Sequence, residues 1–129
     1  MNKLDKDSVT RISALLVHAA RIDEIYSEHE KNLVKNFIKS YLNETDENDI
    51  LKKAEGIEAN SNKLLSFTNI IKENSMEIKK DIIEHLWKVI ISDKAVDQYE
   101  SNLMRRICGL IYFPDKECAE IKLRLLNSK

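Results

Sequence analysis

The chain predicts an all-α protein, a bundle of about seven helices arranged as two pseudo-symmetric halves. Three observations predict it. Apolar residues recur at i, i+3, i+4 spacing along most of the 129 residues, with charged residues (33%) between them. Only two Gly and one Pro are present, too few for the frequent tight turns of a β protein. Finally, one eight-residue pattern occurs twice. Asp23-Glu24-Ile25-Tyr26-Ser27-Glu28-His29-Glu30 returns 70 positions later as Asp93-Lys94-Ala95-Val96-Asp97-Gln98-Tyr99-Glu100. Each copy opens on Asp, closes on Glu, and lies between two apolar helical stretches, so the chain reads as an internal duplication.

The elements follow in order. Val9, Ile12, Leu16, Ala19 and Ala20 share one face of a helix from about Asp5 to Ile22. After a turn over Asp23–Tyr26, Ser27 and Glu30 have the spacing of a capping box, in which each side chain takes an orphan N–H of the first turn. The helix they open carries Leu33, Val34, Phe37, Ile38 and Tyr41 inward and ends near Asn43. An acidic turn over Glu44–Asp49 leads, from Thr45 or Asp46, into a short helix to about Gly56, and Asn60-Ser61-Asn62 is a loop. Leu64, Leu65, Phe67, Thr68, Ile70 and Ile71 form a further helix.

The second half repeats the first. Asn74 and Glu77 are placed to cap a helix through Ile78, Ile82, Ile83, Leu86, Val89 and Ile90. The turn at Asp93 follows. Asp97 with Glu100 then opens a helix burying Leu103, Met104, Ile107, Cys108 and Ile111, and Pro114-Asp115 starts a last helix with Cys118, Ile121 and Leu125 on one side. No linker divides the chain, so residues 1–129 are expected to form one domain.

Composition narrows the function classes. The formal net charge is −1 and Lys and Arg are dispersed, so no basic stripe is present to grip a nucleic acid. The apolar runs are too short to span a bilayer, and the N-terminus lacks the apolar core of a secretory signal; a soluble cytoplasmic protein is expected. Cys108 and Cys118 lack CxxC spacing and read as buried small hydrophobes. His18, His29 and His85 pair with no other His or Cys at ligand spacing, and read as surface or packing residues. Trp87 reads as a core residue or half-buried anchor, and Tyr26 and Tyr99 as packing staples beside the helix starts. No nucleophile elbow, P-loop or Gly-rich phosphate cradle occurs, so no enzymatic activity is expected.

At the duplicated turn the chain resembles the tellurite-resistance TerB-like family. The matching stretches are His18-Ala19-Ala20-Arg21-Ile22-Asp23 through Glu30, and Trp87-Lys88-Val89-Ile90-Ile91-Ser92-Asp93 through Glu100, within a resemblance over roughly residues 8 to 126. It implies an all-helical fold of two related halves, and a non-enzymatic cytoplasmic protein linked to stress responses. Its clustered acids are suspected of binding a cation. Carried onto this chain, those acids are Asp23, Glu30, Asp93 and Glu100. The Gly that often follows the family's Asp is replaced here by Glu24 and Lys94.

The residues themselves admit two readings. In the first, the turns bind a divalent cation, Ca²⁺ or Zn²⁺. Asp23, Glu24, Glu28 and Glu30 give one turn a formal charge of −4, and Asp93, Asp97 and Glu100, offset by Lys94, give the other −2. Asp23, Glu30, Asp93 and Glu100 are the principal ligands, with Glu24 and Asp97 as accessory oxygens. The loop is not an EF-hand, which needs its first and last acids eleven positions apart and Gly at the sixth. In the second reading Glu30 and Glu100 only cap helices, and the protein is an adaptor for a protein partner. A homodimer is compatible with either.

Overall fold

A computed structural model describes residues 4–21, 26–42, 47–60, 64–91 and 98–127, with positions 98–100 given by backbone alone. Among these residues seven helices and no strand are found: α1 Lys6–Ala20, α2 Glu28–Tyr41, α3 Glu47–Ala59, α4 Leu65–Lys72, α5 Met76–Ile90, α6 Gln98–Ile111 and α7 Asp115–Asn127. The expected all-α bundle is present. None of these helices is long and apolar enough to cross a membrane.

The duplication seen in the turns extends to the helices around them. α1 and α5 are both 15 residues long, and each boundary of one lies 70 positions from that of the other. α2 and α6 are both 14 residues long at the same 70-residue offset. α3 and α7 are both 13 residues long, offset by 68. The caps keep the register too. The Asp5 side chain accepts from Ser8 N–H and the Ser75 side chain from Ile78 N–H, each satisfying one donor that the first helical turn leaves unpaired. α4, with 8 residues, has no counterpart among the described residues. It packs on α1, α5 and α6, and so joins the second half to the first.

α1 and α5 pack against each other at the centre. α3 covers α1, α7 covers α5, and α2 lies across α1, α3 and α5. The 3.6-residue periodicity explains why. Val9, Ile12, Leu15, Leu16 and Ala19 of α1, Phe37 and Ile38 of α2, Ile82, Ile83, Leu86 and Val89 of α5, and Met104, Ile107, Cys108 and Ile111 of α6 are all buried in one continuous core. Trp87 belongs to this core, not to the surface.

Local departures from the expected boundaries have identifiable causes. α5 is capped by Ser75, not Asn74; the Asn74 side-chain amide instead donates to Ile70 O at 2.7 Å and closes α4. α3 runs three residues past Gly56, and the Gly56 carbonyl is taken up by the Asn60 side chain at 2.9 Å. Leu65, expected in the apolar stripe of its helix, is exposed.

The end of α6 carries strain. Phe113 N–H donates to Cys108 O at 2.8 Å and Tyr112 N–H to Gly109 O at 3.4 Å, the paired bonds of a Schellman motif. That motif puts its pivot residue in the left-handed region, and the pivot is Tyr112, at φ 60°. An L-residue with a Cβ pays about 1 kcal/mol or more there. The Tyr112 side chain is largely exposed, and Lys72 Nζ lies 5.8 Å from its ring centroid, a contact worth about 0.5 kcal/mol at an exposed site. Tyr112→Gly is therefore expected to raise unfolding stability by roughly 0.5–1 kcal/mol. The check is a higher urea midpoint with an unchanged slope.

Candidate functional site

α1 ends and α2 begins on either side of the first acidic segment, and the C-terminal half of α3 reaches His18, Arg21 and Tyr26, which flank it. Of the six acids singled out from the sequence, the described structure places the side chain of one, Glu30. Asp23, Glu24, Asp93 and Asp97 lie outside the described residues, as does the Glu100 side chain.

Glu30 is the third residue of α2 and is buried. Its Oε1 accepts from Ser27 N–H at 2.8 Å and from the Ser27 hydroxyl at 3.2 Å, while Ser27 Oγ accepts from Glu30 N–H at 3.2 Å. This is the capping box that the Ser27/Glu30 spacing predicts. An N–H, a hydroxyl and the positive end of the helix all face this buried carboxyl group.

Sequence reasoning missed the contribution of α3. Glu55 and Glu58, one turn apart, reach the segment bounded by α1 and α2. The Tyr26 hydroxyl donates to Glu55 Oε2 at 2.7 Å. Glu58 is nearly buried; its Oε2 lies 3.3 Å from His18 Nδ1 and its Oε1 3.3 Å from Arg21 Nη1. The Arg21 guanidinium stands 5.3 Å from the centroid of the Tyr26 ring, and Lys31 Nζ 5.2 Å from it, so both cations meet the negative face of the aromatic system. Burial, followed by the hydrogen bond to Glu55 and the charges of Glu55 and Glu30, pushes the Tyr26 phenol well above its ordinary range. Tyr26 is therefore a fixed hydrogen-bond donor, not a base. The one available sequence signal was the i, i+3 placement of Glu55 and Glu58 on α3, which shows a shared face but not what that face meets.

The second half is built differently at matching places. At the 70-residue offset of the first two helices, His18 corresponds to Lys88, Arg21 to Ile91 and Tyr26 to Val96; at the 68-residue offset of the third, Glu55 and Glu58 correspond to Leu123 and Leu126. The polar cluster of the first half thus has no equivalent. His85 packs its ring edge-on to Phe37 at 5.1 Å, and its Nδ1 lies 2.9 Å from Asp81 O, where a ring N–H donates to the carbonyl. His18 is held by Glu58, and His29 is exposed on α2.

Carboxylate oxygens are hard donors, suited to Ca²⁺ more than to Zn²⁺. Glu30, Glu55 and Glu58 each already hold a protein partner, and among the described residues no group of three or more His, Cys, Asp or Glu is arranged to hold a metal ion.

Six of the seven helices among the described residues repeat in register, and an Asp-to-Glu segment leads into the second helix of each half, which defines a duplicated all-α bundle. The chain belongs to the TerB family: the family model described as Tellurite resistance protein TerB matches residues 10–123. No curated protein and no solved structure matches the chain.

Proposed function

We propose that this TerB-family protein is a non-enzymatic cytoplasmic protein that binds or senses a divalent cation through its two acidic turns, in a response to tellurite or another stress. The observation that carries this reading is the helix register. Equivalent helices, of equal length and 70 residues apart, stand on either side of residues 21–27 and 91–97. In this reading Asp23, Glu30, Asp93 and Glu100 supply the principal hard oxygens, with Glu24 and Asp97 as accessory ones. Like charges gathered at this density repel, and a divalent ion relieves that repulsion.

The second reading is a protein–protein adaptor, and one observation favours it. Glu30 already works as a complete capping-box partner, a structural role that needs no ion. Calorimetric titration of the full chain with Ca²⁺, Mg²⁺ and Zn²⁺, repeated on Asp23→Asn/Asp93→Asn, separates the two. Cation binding predicts heat in the parent and a stability gain of about 2.7 kcal/mol at a free ion concentration 100 times Kd, both lost in the double variant. Flat titrations in both proteins favour the adaptor.

A further inference from the structure

A cavity of about 590 Å³ opens between α6 and α7. Ser101, Met104 and Arg105 line it from α6, at i, i+3, i+4 spacing and so on one helix face. Cys118, Ala119 and Lys122 line it from α7, and Trp87 of α5 joins them. Met104, Cys118 and Trp87 are buried core residues and form its floor. The Trp87 indole N–H donates to Cys118 O at 3.2 Å and to Cys118 Sγ at 3.3 Å, which fixes the ring against α7. The apolar floor therefore stands preformed, as in most small-molecule sites.

The internal duplication supplies a reference for this cavity. A smaller one, of about 380 Å³, is lined by residues of α2 and α3. At the helix offsets its Lys31, Lys35, Asn48 and Leu51 correspond to Ser101, Arg105, Lys116 and Ala119 of the larger one. Two of these differences make room. Leu51 is buried where the second half has the exposed Ala119, and Lys31 stands where it has Ser101. Trp87 takes the place of Val17, which adds an aromatic ring. The charges differ as well. Glu28 and Glu55 line the smaller cavity, and Glu28 pairs with Lys31 at 3.7 Å; the second half has Gln98 and Leu123 at their positions. Around the larger cavity Arg105, Lys116 and Lys122 face one acid, Asp115. Among the described residues no ion pair holds any of these three cations. Emptying a seam between helices forfeits packing contacts, and gathering cations there adds repulsion. One bound anion with an apolar body answers both.

We propose that the α6–α7 cavity binds a small organic anion with a flat apolar body, of the aromatic carboxylate class. The apolar body rests on the floor of Trp87, Met104 and Cys118. The carboxylate meets the planar guanidinium of Arg105, whose parallel N–H groups match its two oxygens. Lys116 and Lys122 complete the positive rim. Lys122 Nζ stands 5.6 Å from the centroid of the Trp87 ring, so one cation is already seated between floor and rim. None of the lining residues is among the six acids of the turns, so the site stands whether or not those acids bind a cation.

The test uses the full chain and naphthoate, titrated calorimetrically and followed by the fluorescence lifetime of Trp87, the only tryptophan. One equivalent is expected to bind with a Kd of about 1 mM or tighter and to shorten the lifetime. Naphthylmethylammonium, the same ring system with the opposite charge, should bind at least about 10-fold more weakly. Arg105→Gln should weaken naphthoate by about 10-fold. Ala119→Leu introduces the first-half residue type at an exposed helical position, where Leu is well tolerated; it fills the cavity and should abolish binding. Lys35→Gln, at the position matching Arg105, should change nothing. Absence of saturable naphthoate binding overturns the proposal. So does equal binding of the ammonium probe, binding unchanged in Ala119→Leu or Arg105→Gln, or binding lost in Lys35→Gln.

Discussion

Phe37→Ala is expected to lower unfolding stability by about 3–5 kcal/mol, the cost of deleting a buried aromatic ring where the surroundings cannot collapse. Phe37 is 0% exposed. Its ring lies 5.2 Å from Tyr41 and 5.1 Å from His85, so it sits where α2 of the first half crosses α5 of the second. The neighbours cannot move in to fill the space. Tyr41 is tied through its hydroxyl to Asp81 Oδ2 at 2.7 Å, and His85 to Asp81 O at 2.9 Å. Because total stabilities are about 5–15 kcal/mol, this single change consumes a large share. Urea unfolding followed by both Trp87 fluorescence and helical circular dichroism checks it. The two signals should fall together at a lower midpoint. An unmoved Trp87 transition beside a shifted helical one would mean that the halves unfold separately, contrary to the packing of α2 on α5.

Trp87→Ala is expected to cost a similar amount, about 3–5 kcal/mol, for a partly different reason. Trp87 is buried where α5 meets α7, and the same indole N–H is shared between Cys118 O and Cys118 Sγ. Truncation opens a cavity and also strands a buried acceptor. Trp87→Phe separates the two effects. It keeps most of the apolar volume and loses the donor, so it should cost about 1–3 kcal/mol, the penalty for one unsatisfied buried group. Trp87 is the only tryptophan, so circular dichroism must follow both variants. A loss under about 1 kcal/mol in Trp87→Ala would show that the α5–α7 contact is looser than its burial implies.

Local features of this fold were legible in the sequence, and tertiary ones were not. The Ser27/Glu30 capping box was readable because both partners lie within one helical turn, and the structure closes it as expected. The inward faces of α1, α2, α5 and α6 were readable because helical periodicity alone decides which residues share a face. Even the twofold organisation was visible, through the repeated Asp-to-Glu segment. Boundary errors arose where two neighbours compete for one job. Asn74 and Ser75 are both good caps, and only the three-dimensional path shows that Asn74 closes α4 while Ser75 opens α5. The candidate site shows the deeper gap. Glu55 and Glu58 reach Tyr26, His18 and Arg21 only because α3 folds back on α1, and nothing in their own neighbourhood announces those partners. The Trp87 indole N–H likewise reaches Cys118 only because of how α7 turns after Tyr112 and Pro114.

The back-to-back pairing of α1 and α5 bears on how such a chain could have arisen. Ten of the fifteen positions of α1 are buried, and one side of that burial is supplied by α5. A primordial gene encoding a single copy would have yielded a polypeptide with an oily flank bare to water. Self-association through that flank, before any tandem fusion, is the arrangement that would have kept it soluble. The α1–α5 contact inside one chain is thus the contact that two such copies would have made with each other.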